Sequence, residues 1–215
     1  MRKVRTHDVE SYMGPASVKR PLAGELGTES LAINYFELEP GESFAFGYHS
    51  HADQEEVFYV VEGTAVFETG AIENPAGDDG AKAGGDAPTG DDTTAGDTAA
   101  SDRAAANGGE TADDGEAAGD GEAANGADIG VERVTVGAGE AVRFAPGEYQ
   151  QGRNESGERV VALALGAPKD AGETDIRREC VSCSEFTSQE IDMTDNRDAL
   201  VTRCVACDTE TGRFG

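Results

Sequence analysis

His49-Ser50-His51-Ala52-Asp53-Gln54-Glu55-Glu56 runs directly into Val57-Phe58-Tyr59-Val60-Val61-Glu62-Gly63, and this stretch decides how the chain is read. Two of the three histidines in the sequence stand here, one residue apart. On a strand, positions i and i+2 point to the same face, so both imidazoles can converge on one ion. The four residues between His51 and Glu56 suffice for a bend that returns the chain to the adjacent inward face. Two imidazoles and one carboxylate form a facial set that suits Fe(II), Mn(II) or a similar ion and leaves positions open for a substrate or dioxygen. The plain alternative is a solvent-facing histidine pair beside the acidic turn Asp53-Gln54-Glu55-Glu56.

Outward from this stretch the chain reads as short strands. Residues 55–61 and 64–69 flank a turn at Gly63. Further on, 131–136 alternates, turns at Gly137-Ala138-Gly139 and continues into 140–144. Segments 31–38, 43–49 and 159–165 complete the set, with Pro and Gly between them and no convincing amphipathic helix. Such spacing predicts an all-β sandwich or barrel. Residues 1–30 form an N-terminal extension and 31–170 the barrel. Without the stretch described next, residues 1–72 and 129–173 number 117, enough for one modest core.

Between the two hairpins lies a segment of different character. Residues 73–128 contain 16 Ala, 12 Gly and 15 acids against two bases, with no Val, Ile, Leu, Met, Phe, Tyr, Trp or Cys. A segment of this composition cannot bury enough surface to offset its ordering entropy, and we read it as a long disordered acidic insertion. Extending a loop of about 4 residues to these 56 costs roughly 2 kcal/mol of closure entropy, so the insertion is tolerable inside one β domain. It accounts for half of the formal net charge of −26. The remaining half is still acidic, and with only four Lys against thirteen Arg the composition suits a salt-adapted, halophilic cytoplasmic protein. The same charge weighs against binding a nucleic-acid backbone or an anionic membrane. No stretch has the apolar length of a membrane span, and the first residues lack the apolar core of a signal peptide.

His49-x-His51-x4-Glu56-x6-Gly63 is similar to the first motif of the cupin superfamily, whose two His and Glu on barrel strands are metal ligands. The second cupin motif, Gly-x5-Pro-x-Gly-x2-His-x3-Asn, can be laid on Gly139 through Asn154 without a gap. Gly139, Gly147 and Asn154 match, Ala145 takes the Pro place, and Gln150 stands where the family has its last His ligand. Gly41 precedes His49 by seven intervening residues where the family usually has five, which predicts a bulge in the strand entering the site. The chain thus resembles a small single-domain cupin of the haloarchaeal type, and the resemblance implies a jelly-roll barrel. It implies one divalent metal (Fe, Mn, Ni or Zn) held by His49, His51 and Glu56, with Gln150 as a weak fourth ligand or as a donor to bound water. Phe44, Phe46, Phe58 and Phe144 are candidate apolar lining. Tyr48, Tyr59, Arg143 and Arg153 are candidate polar contacts, an Arg favouring a carboxylate. Glu148 and Tyr149 are the candidate general bases.

Residues 174–215 gather around Cys180-Val181-Ser182-Cys183 and Cys204-Val205-Ala206-Cys207, separated by twenty residues. Paired CxxC at this spacing is the pattern of a structural zinc site with four thiolates, and it resembles a zinc ribbon. Ser184 and Asp208 follow the pairs where knuckles usually have Gly. Two independent redox-active pairs are the alternative, without the βα context that usually accompanies them. A tail of 42 residues has little core, so the metal should supply its folding energy. With nine acids against five Arg it favours a protein contact, or a structural cap on the barrel, over duplex binding.

Two functions follow as expectations. The first is a mononuclear metalloenzyme of dioxygenase or isomerase type acting on a small molecule. The second is a non-catalytic cupin that senses a small-molecule ligand and passes that state through the zinc ribbon to a partner protein. Many cupins pair their barrels, so a homodimer is expected with either.

Overall fold

A computed structural model describes residues 1–70 and 131–215. The 73–128 expectation lies outside the described residues. Among the described residues, thirteen strands form two antiparallel sheets. The first sheet holds β1 (Val18–Pro21), β2 (Ala32–Leu38), β9 (Val160–Ala167), β4 (Glu55–Glu62) and β7 (Ala141–Phe144), in that order. The second runs β13 (Glu210–Phe214), β12 (Leu200–Cys204), β11 (Glu185–Met193), β10 (Thr174–Cys180), β3 (Tyr48–His51), β8 (Gln150–Arg153), β5 (Thr64–Thr69) and β6 (Glu132–Gly137). Strands β2 to β9 divide between the sheets as β2-β9-β4-β7 and β3-β8-β5-β6, the order of a jelly roll. The fold is therefore all-β, as the strand pattern implied. Among the described residues no helix is long and apolar enough to cross a membrane; the one α-helix is Ala23–Leu26.

Alternation along the strands places one apolar face of each sheet inward. Phe36, Leu38, Phe44, Phe58, Val60, Phe67 and Phe144 are buried in one cluster. Phe44 stacks on Phe67 with ring centroids 5.5 Å apart, and Phe58 tilts against Phe67 at 4.9 Å. Aromatic pairs at such separations add to what their buried area contributes. Gly41, Gly63, Gly139 and Gly147 all take left-handed backbone, with φ between 77° and 88°. At Gly63 a Cβ would also lie 2.4 Å from the Arg159 carbonyl oxygen, so the turn between β4 and β5 requires glycine. Asn154 is fully buried. Its amide donates to the Leu38 and Glu158 carbonyls, and its oxygen accepts from Ser156, tying three connections together.

Three differences from the sequence reading bear on the site. The strand expected over 43–49 begins only at Tyr48, and residues 44–47 form bends. Gly47 explains this: a Cβ there would meet the Arg177 carbonyl oxygen at 2.6 Å, because β10 lies directly over it. The N-terminal extension contributes β1, which pairs with β2 and places Lys19 opposite Phe36. The cysteine tail continues the second sheet, since β10 pairs with β3 from Thr174↔His51 to Arg177↔Tyr48. Strand β5 pairs with β6 up to Thr69↔Glu132, so the stretch between them leaves and rejoins one hairpin.

Candidate metal centres

The first centre lies between the two sheets. His49 and His51 project inward from β3, two residues apart, with ring centroids 5.1 Å apart. Glu56 enters from the second residue of β4 in the opposite sheet. Its Oε2 lies 3.8 Å from His49 Nε2 and 3.7 Å from His51 Nε2. One donor atom from each residue falls within 4.8 Å of the others, so the three could hold one metal ion. Each imidazole is anchored through its other nitrogen: His49 Nδ1 lies 3.2 Å from the Gly47 carbonyl and His51 Nδ1 2.9 Å from Thr174 Oγ1. Such anchoring fixes the ring and aims Nε2 at the site. Burial pushes the His51 imidazole down, against the upward pull of Glu56, and favours the neutral form that ligates metals.

Gln150 arrives through the single β3–β8 register pair, His49↔Gln150. Its Nε2 lies 3.1 Å from His49 Nε2 and donates to Glu56 Oε2 at 3.0 Å, while its buried Oε1 has no hydrogen-bond partner. The two ends of an amide are interchangeable in shape. Turned over, the orphaned oxygen faces the same two donors, and a cation among them becomes its missing partner. Two imidazoles, a carboxylate and an amide oxygen fit a borderline or hard divalent ion.

This centre opens onto a cavity of about 280 Å³. Phe36, Phe44, Phe46 and Phe58 line it, with Ile176 and Thr174 from β10. Phe144 instead packs in the core behind Phe58. The candidate polar contacts lie elsewhere: Tyr59 is exposed, Arg143 pairs with Glu55 at 2.7 Å, and Arg153 donates to Gln151 at 2.7 Å. Tyr48 donates to the Gly70 carbonyl, and its hydroxyl is pushed up to about 12 by burial. Glu148 accepts from the Ala145 amide, and the Tyr149 hydroxyl donates to Asp175. Neither candidate base lines the cavity. Two residues that the motif reading missed do line it. Thr174 orients His51, and Lys19 from β1 presents a cation whose pKa burial pushes down, partly offset by Glu56. Lys19 is one of only four lysines in the chain, which was the single sequence signal available.

The second centre is formed by Cys180, Cys183, Cys204 and Cys207, whose sulfurs lie within 4.8 Å of one another. Cys180 Sγ is 3.5 Å from Cys207 Sγ and Cys183 Sγ 3.8 Å from Cys204 Sγ. A tetrahedron of thiolates around zinc has edges of about 3.8 Å, whereas a disulfide brings sulfurs to about 2 Å. The two knuckles repeat one geometry. Ser184 N donates to the Cys180 carbonyl and Asp208 N to the Cys204 carbonyl, both at 2.8 Å, and Ser184 and Asp208 themselves are left-handed, at φ 56° and 60°. The Thr209 side chain beside Cys207 pulls that thiol down to about 6, toward the thiolate form that zinc requires.

No family model and no curated protein matches the chain. Solved structures do show likeness. A putative sugar phosphate isomerase from Acidithiobacillus ferrooxidans is 14% identical with a TM-score of 0.39, covering 87% of this chain and 70% of its own. An uncharacterized protein with a double-stranded β-helix domain from Klebsiella pneumoniae is 13% identical, TM-score 0.44, covering 82% and 96%. Oxalate decarboxylase from Bacillus subtilis is 12% identical, TM-score 0.45, covering 79% of this chain and 30% of its own. At these levels the likenesses assign no activity, and the fold assignment stands on the strand order of the chain itself.

Proposed function

We propose that the chain is a cupin-type barrel protein that holds one divalent metal at His49, His51 and Glu56, with Gln150 beside them, and binds a small molecule in the adjoining cavity. The convergence of His49 Nε2, His51 Nε2 and Glu56 Oε2 on one point at the cavity wall carries this reading. An ion bound there supplies a Lewis acid to a ligand oxygen. Gly47 and Thr174 hold the imidazoles, Gln150 and Glu56 hold each other, and the phenylalanines exclude water from the ligand's apolar part. The four cysteines, in turn, hold a structural zinc. The absence of Glu148 and Tyr149 from the cavity wall favours ligand binding over base-driven catalysis.

Metal analysis of the full chain purified in high salt tests the assignment. The expected content is about one zinc and about one further ion per chain. His49→Ala should remove only the second ion, and Cys204→Ser should remove the zinc. Unchanged metal content in His49→Ala would overturn the barrel assignment.

A further inference from the structure

We propose that the cavity binds a small organic acid whose carboxylate is held by the Lys19 ammonium. The proposal deepens the barrel metal reading and rests on it for the metal beside the same cavity. Lys19 stands on edge strand β1, paired in register with Phe36, and its Nζ lies 5.7 Å over the Phe36 ring. From there it lines the same cavity as His49, His51 and Glu56. Among the described residues its Nζ makes no ion pair and no hydrogen bond. A half-buried cation held over an aromatic face, with Glu56 near enough to be felt but no carboxylate at ion-pair distance among the described residues, is costly unless an anion arrives.

The neighbouring charges do not meet this need. Glu56 turns its Oε2 toward Gln150 and the two imidazoles. Lys169, also on the cavity wall, donates its Nζ to the Thr28 carbonyl at 3.0 Å. Arg143 and Arg153, expected from the sequence to receive a carboxylate, are engaged with Glu55 and Gln151. Lys19 is thus the one cation of the cavity wall left unengaged among the described residues. Around it, Phe36, Phe44, Phe58 and Ile176 offer an apolar surface, which suits a short hydrocarbon or aromatic body behind the carboxylate. A volume of about 280 Å³ lies just below the usual range of ligand cavities, about 300 to 1,000 Å³, so the acid is small.

Calorimetric titration of the full chain with benzoate and pyruvate, each beside its neutral amide (benzamide and pyruvamide), tests this. At least one acid should bind about tenfold or more tightly than its amide, as expected of a charge-assisted hydrogen bond. Lys19→Met should erase that difference, and Lys19→Arg should keep most of it, which separates loss of charge from loss of fold. The proposal is overturned if neither acid is preferred over its amide by the native chain, or if Lys19→Met keeps the preference. Metal content measured on the same samples keeps the two readings apart. A native chain without the second ion defeats the barrel metal assignment, while the acid–amide comparison still reads the role of Lys19.

Discussion

The barrel and the cysteine ribbon belong to one sheet system yet are held together by different chemistry. Every member of the main apolar cluster comes from residues 16–164, and its centre is a stack of phenylalanines. In the ribbon, strands β10 to β13, the buried positions are Cys180, Thr187, Gln189, Ala199, Val201, Thr202 and Cys204. Gln189 donates to the Thr187 carbonyl at 2.7 Å and to its hydroxyl at 2.9 Å, and Thr202 and Thr211 bond to each other at 2.9 Å. A polar network of this kind specifies an arrangement but adds little net free energy, because each bond replaces one to water. The barrel folds on apolar burial; the ribbon depends on its four thiols and on the strand it shares.

If the four cysteines hold zinc as proposed, its removal sets the two regions apart most sharply, since zinc binding to such sites is worth about 10–16 kcal/mol. Chelation, or Cys204→Ser, should collapse hydrogen-exchange protection in β11, β12 and β13 while amides of β4 and β9 stay protected. Equal loss in both regions would show that the barrel depends on the ribbon for its stability. Phe58→Ala should act the opposite way. It should cost about 3–5 kcal/mol, read as a shift of the denaturation midpoint, and leave bound zinc unchanged. The smallest effect concerns the knuckles. Ser184→Gly and Asp208→Gly relieve left-handed backbone and should each raise ribbon stability by about 1 kcal/mol or less, with no change at the barrel metal. A destabilisation at either position would mean that the side chain itself is needed in the turn.

Much of this was legible in the residues. Alternation located β2, β4, β5, β6, β7 and β9 because those strands carry one buried face. The His49–His51–Glu56 spacing found three groups that meet in space. Strand β8, Gln150-Gln151-Gly152-Arg153, had no apolar signal to offer. It exists because Gly152 lets Phe67 and Phe44 lie directly on its backbone, where a Cβ would be 2.3 Å from the Phe67 ring. Residues 44–47 looked like a strand because Phe44 and Phe46 alternate, and became bends where β10 crowds Gly47. Lys19 was invisible as a site residue, since its place depends on β1 folding back onto β2, a pairing no local pattern announces. The polar interior of the ribbon likewise defeats a reading built on hydrophobic periodicity.

Strand β10 begins at Thr174, whose hydroxyl steadies His51, continues through Ile176 on the cavity wall, and ends at Cys180 among the thiols. The final 42 residues therefore cannot be treated as a detachable module. A deletion or gene fusion made at residue 173 would leave β3 without its β10 neighbour, and the cavity would lose Thr174 and Ile176 from its lining. A shortened chain would keep those two positions of the lining only if other sequence supplied them.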